Sequence, residues 1–142
     1  MAIATRTLRD TAIATGSGAA GGKVVVLVNM NDNTTDNSNI LDASALTGHA
    51  NGAKLDIVKL WWGLVQGTAD DNTGWVQIQF KGASSDTVAI NLSGTGHYDG
   101  TAGKIENNAT NTTATSGDLE LGAYGTSGYV LIELRKDEAF TA

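Results

Sequence analysis

His49 and His97 are the chain's only imidazoles, and each sits in a Gly-containing stretch with no second His at ligand spacing. Asp99, two residues after His97, is the nearest acid that could orient it. A zinc centre needs three or four ligands from His, Cys or carboxylate. The chain has no Cys, no H-x-H and no H-E-x-x-H, so polar loop histidines are expected instead. Asn31, Asp32, Asn33 and Asp36 cluster in one stretch, and Asp70, Asp71 and Asn72 in another. Oxygen ligands on flexible backbone are what calcium prefers. Neither cluster follows D-x-[DN]-x-[DN]-G, and Asx side chains commonly close their own turns, so turn chemistry is the expected role.

Nucleophilic and acid–base chemistry find no better footing. Ser127 in GTSGY lacks the G-x-S-x-G elbow and precedes a strand pattern, not a helix. The four glutamates, Glu106, Glu120, Glu133 and Glu138, offer no pair flanking a common site. Gly16, Gly18 and Gly21 in GSGAAGG fit G-x-G-x-x-G on paper. A dinucleotide loop must open a helix whose N-terminus holds the pyrophosphate, and this one opens the strand-like KVVVLV. The expectation is a non-enzymatic chain without metal or cofactor. N-x-[ST] triplets at Asn33, Asn91, Asn108 and Asn111 are read as chance matches in an Asn- and Thr-rich chain.

The tryptophans are more informative. Adjacent strand residues point to opposite faces, so Trp61 and Trp62 cannot enter the same core. The alternation assigns Trp61 to the outside, and Trp75 shares the Gln face of its own strand. An outward Trp on a sheet lies under a covering loop, in a subunit interface, or on a stacking platform for a planar ligand such as a sugar.

Those residues must be positioned by strands, because period-two alternation dominates and no long amphipathic helical stretch occurs. In Trp75–Lys81, Val76, Ile78 and Phe80 face one way and Trp75, Gln77, Gln79 and Lys81 the other. Val88, Ile90 and Leu92 form a second inward set; Val130, Ile132 and Leu134 form a third, with Glu133 and Arg135 outward. Across 54–65, Val58, Leu60, Trp62 and Leu64 share one face, and Ile57, Lys59, Trp61 and Val65 the other. Lys23–Asn31, apolar at nearly every position, reads as a middle strand covered on both faces. Ile3–Leu8, 11–15, 103–107 and 118–121 are shorter candidates. The expected fold is all-β, a single-domain β-sandwich or jelly roll of about eight short strands. Long connections are expected at 31–53 and 93–117, the first with one helical turn capped by Asn39 or Asp42. GSGAAGG reads as a hinge, dividing an N-terminal arm (1–22) from the β domain (23–142). The arm either pairs with another subunit or returns to the sheet edge.

At 142 residues the chain suits one domain with a real core. A net charge of −6, from 9 Lys+Arg and 15 Asp+Glu, argues against nucleic acid or an anionic leaflet as the main partner. The longest apolar run, Val24–Val28, is far short of a membrane span, and MAIATRTLRD does not read as a secretory leader. With 18 Gly and no Pro, turns must rely on Gly, Asn and Asp. Only 17% of residues are charged, so a largely neutral, small-residue surface is expected, which suits lattice contacts better than a free cytosolic enzyme.

ILDASALTGHANGAKLDIVKLWWGL (40–64), VAINLSGTG (88–96), GKIENNA (103–109), SGDLELG (116–122) and SGYVLIELRKD (127–137) resemble small auxiliary capsid proteins, of the decoration or cement type, from tailed phages of marine bacteria. The resemblance spans about Lys23–Asp137. It implies a β-sandwich virion protein, made in the host cytoplasm, that forms a homo-oligomer, trimeric by analogy. On the capsid surface it would bind across neighbouring copies of the major capsid protein. The family supplies no site residues. The chain's own candidates are Ile3, Arg6, Leu8 and Arg9 on the arm, for β-augmentation or salt links to an acidic shell, with Trp61 and Trp75 as interface aromatics. Two other readings stay open. One is a tail, fibre or knob component; the other is a carbohydrate-binding module stacking sugar on Trp61 and Trp75, with Tyr98 as a third ring.

Overall fold

A computed structural model describes residues 3–13, 22–49, 53–67, 74–82, 85–109, 117–137 and 140. These form seven strands: β1 (Ala4–Asp10), β2 (Lys23–Leu41), β3 (Leu55–Gln66), β4 (Trp75–Phe80), β5 (Thr87–Ser93), β6 (Thr95–Tyr98) and β7 (Leu119–Lys136). All pairings are antiparallel, and only β1–β2 and β4–β5 join strands consecutive in sequence. The all-β expectation holds. Two strands are far from short, however, with β2 running 19 residues and β7 running 18. The 31–53 stretch is accordingly no long loop, because β2 continues through its Asx cluster to Leu41. A 3₁₀ turn at Ala43–Ala45 follows, capped by Asp42, whose side chain accepts from the Ser44 N–H.

β7 is the axis of the molecule. Its second half lies between β2 and β3, giving the order β1-β2-β7-β3-β6; its first half lies between the far end of β2 and β4, which also pairs with β5. The sheet therefore has two leaves, and inward residues of both, such as Val26, Leu60 and Ile132 with Ile78, Phe80 and Leu121, belong to one core cluster. β7 changes partner around Gly125 and Gly128, both at positive φ (56° and 126°). Inward residues are odd-numbered before this irregularity (Leu119, Leu121, Ala123) and even-numbered after it (Val130, Ile132, Leu134). One slipped residue turns every later side chain to the other face, so the bend reverses the strand's parity.

Bulges correct two expectations in the same way. A register shift between Ile57 and Lys59 brings Ile57 into the core beside Leu60, although strict alternation places it outside. A shift at Ile78/Gln79 sets Val88 opposite Gln79, leaving Val88 exposed while Ala89 packs against the core. β2 is not the middle strand: β7 is, and Val25 and Leu27 stay half-buried on the outer face. The 103–107 candidate is a single bridge, Ile105 to Ile57. Thr11–Ile13 form no strand, while residues 14 and 15 and the GSGAAGG segment up to Gly21 lie outside the described residues. Of the 93–117 connection, Ser93–Tyr98 is strand and a tight turn at Gly94.

Candidate functional site

The arm returns to its own sheet. β1 pairs with β2 along one edge, and it ends the strand order, so its other edge has no strand partner among the described residues. Six of its seven residues are exposed. Arg6 lies opposite Leu27 and Arg9 opposite Val25, on the outer face; a bulge between Thr7 and Arg9 leaves Leu8 half exposed. Ile3, by contrast, packs against the core. On the inner side Thr5 and Thr7 line a cleft of about 340 Å³ shared with Asn39, Leu41, Asp42 and Leu46. β1 is thus a strand held by one ladder and by its C-terminal end.

That end is fastened by Lys136, which is 1% exposed. Its Nζ donates to Asp10 Oδ1 at 2.5 Å, Thr11 O at 2.9 Å and Thr47 O at 2.7 Å, using all three ammonium hydrogens. Phe140 lies under the same ammonium, its ring centroid 5.4 Å away. The second Asp10 oxygen accepts from the Thr47 N–H and Oγ1. Burial pushes the Asp10 carboxyl upward, but the bonds from Lys136 and Thr47 outweigh it and hold the group below its ordinary value. Sequence reasoning missed this lysine, although the inward series 130, 132, 134 continues directly to 136.

A second buried acid, Asp56, accepts from Lys104 Nζ at 2.9 Å and from the Asn107 N–H at 3.0 Å. Lys104 also donates to Asp137 at 3.0 Å. Burial, then the neighbouring Asp137 carboxylate, raise Asp56; the hydrogen bond between the two holds Asp137 low, and both acids raise Lys104. The trio joins β3 to the 104–107 segment and the end of β7.

The tryptophans divide as expected. Trp62 packs against the core, with Nε1 donating to Ser93 O and its ring over Gly96. Trp61 faces outward, opposite Leu131 on one side and His97 on the other. Trp75 stacks on Tyr124 of β7, centroids 4.2 Å apart and planes 22° off parallel. Tyr98 faces inward and its hydroxyl donates to Gly103 O, so it does not share Trp61's face. Asp99 Oδ1 accepts from the Thr101 N–H. His49 meets Phe140 edge-on. In the first Asx cluster, Asn33 Oδ1 accepts from the Asn31 N–H, and the Asp32 N–H donates to Ser127 Oγ; Asp70–Asn72 lie outside the described residues. Among the described residues no three His, Cys, Asp or Glu side chains converge as a metal site, and no helix is long and apolar enough to cross a membrane. No protein-family model, curated protein or solved structure matches the chain.

Proposed function

We propose that this chain is a non-enzymatic virion structural protein that decorates a phage capsid by binding across major capsid protein subunits. The observation that supports this most is β1: a seven-residue edge strand, exposed along nearly its whole length and carrying Arg6 and Arg9 outward. An open edge with basic side chains suits strand addition to an acidic neighbour, with main-chain hydrogen bonds for affinity and side chains for register. Interface spread across capsomer seams stabilises the assembled shell by mass action.

The test is addition of purified protein to capsid shells lacking it. Saturable binding in copies commensurate with the shell lattice is expected. Arg6→Glu/Arg9→Glu should weaken it about tenfold, more at low salt than at high. Wild-type protein that does not bind such shells overturns the reading.

A further inference from the structure

We infer that the outer face of the leaf β1-β2-β7-β3-β6 is a self-association surface that receives the acidic side of a second copy of this chain, head to tail. Strand registers place Arg6, Leu27, Leu131, Trp61 and His97 in one row across five strands. The neighbouring rows run Asn29–Tyr129–Gly63–Thr95 and Arg9–Val25–Glu133–Lys59. Val25, Leu27, Trp61, Tyr129 and Leu131 take no part in the core cluster. Tyr129 is 40% and Val65 62% exposed on this face. A sheet with one solvated face normally alternates apolar inside with polar outside; here the outer rows carry contiguous apolar and aromatic side chains.

The charge around this patch selects the occupant. Arg6, Arg9, Lys23, Lys59 and Arg135 lie on it by register, five of the nine Lys and Arg in the chain, against two acids, Glu133 and the buried Asp56 opposite Arg135. Counting in the corner formed by Lys104, Asp56 and Asp137 leaves six cations against three anions. The remainder of the chain then has three Lys and Arg and twelve Asp and Glu. A two-fold contact would lay the basic face on its own image, which like charges oppose. The complementary surface is the acidic rest of the molecule, where Asp36, Asp42 and Asp86 are exposed on or beside the other leaf. A basic-apolar face on one copy and an acidic side on the next make a heterologous contact, which closes into a ring when its rotation closes and otherwise extends as a filament.

Sedimentation equilibrium of the full chain at low and high salt tests this without any shell, so a failure to bind capsids leaves it standing. The expected result is an oligomer whose dissociation constant rises at least tenfold between about 20 mM and 500 mM salt. Leu131→Ser, outside the core, and Arg6→Glu/Arg9→Glu should each give monomers with native circular dichroism. Mixing Arg6→Glu/Arg9→Glu with Asp36→Lys/Asp42→Lys/Asp86→Lys should restore mixed complexes. A chain monomeric at 100 µM in low salt overturns the inference, as does a dimer indifferent to salt and to the arginine changes. So does a monomer that instead retains single-stranded DNA through this face.

Discussion

The ammonium of Lys136 lies 2.5 Å from Asp10 Oδ1, joining the end of the last long strand to the end of the first. The lysine is buried and its three donors are spent on Asp10, Thr11 and Thr47. Lys136→Met keeps the stem but removes the donor from Asp10 Oδ1 and from the Thr11 and Thr47 carbonyls. Removing one partner of a buried ion pair costs about 3 kcal/mol or more. Chemical denaturation at pH 7 should show a loss of this size. Asp10 is held below its ordinary 3.8, so the pair's contribution is full above that pH and fades as pH falls through the lower folded value. The gap between wild type and variant should therefore narrow below pH 3.8; a gap constant down to pH 2 would refute the linkage.

Asp56 carries the opposite sign. Burial and Asp137 raise its folded value above 3.8, so its contribution is full below 3.8 and lost as pH rises through the folded value. Asp137, held low, affects stability only when pH falls below 3.8. Between pH 4 and 8 the slope is thus shared by Asp56 and by Glu120, whose carboxyl is also raised by burial and then by Asp86. Asp56→Asn retains an acceptor for the Asn107 N–H and removes the titration. Wild-type stability should decline across that window and the variant's decline should be smaller. Parallel curves would show that Lys104 already compensates the buried charge.

The alternation that identified Val76, Ile78, Phe80, Val130, Ile132 and Leu134 as core works because one face of each strand is dry and the other wet. It fails wherever a residue is inserted. Ile57 and Val88 are misassigned by one-residue bulges, which carry no composition signal of their own. The 19-residue β2 was truncated at Asn31 because its Asn- and Asp-rich second half has the composition of a turn. Its ladder to β7, a partner about ninety residues away, overrides that preference. Outward Trp61 was legible from the adjacent Trp62. The stack of Trp75 on Tyr124 was not, since strand order fixes it. The face that gathers Arg6, Leu27, Leu131 and Trp61 likewise exists only once β1, β2, β7 and β3 are placed side by side.

Trp75 and Tyr124 face each other across the β4–β7 ladder on the outer side of the shorter leaf. Offset aromatic pairs contribute about 1 kcal/mol beyond the area they bury. A double-mutant cycle of Trp75→Ala and Tyr124→Ala, read by urea denaturation, should return a coupling energy near that value. Coupling indistinguishable from zero would mean that each ring packs on other neighbours.

Gly63 and Gly128 separate two kinds of glycine dependence within one patch of sheet. A Cβ on Gly63 would come 2.9 Å from Tyr129 Cε1, the edge of a ring that is 40% exposed and free to swing outward. A Cβ on Gly128 would come 2.0 Å from the Gly63 carbonyl oxygen, which the ladder fixes, and its φ of 126° disfavours any L side chain. Gly63→Ala should therefore cost under about 1 kcal/mol and mainly displace Tyr129, while Gly128→Ala should cost about 3 kcal/mol. Because Gly128 lies where β7 leaves β4 for β3, the second loss should also loosen both leaves, seen as faster amide exchange in β3 and β4 alike. Equal costs at the two positions would show that β7 can bend without the left-handed backbone at Gly128.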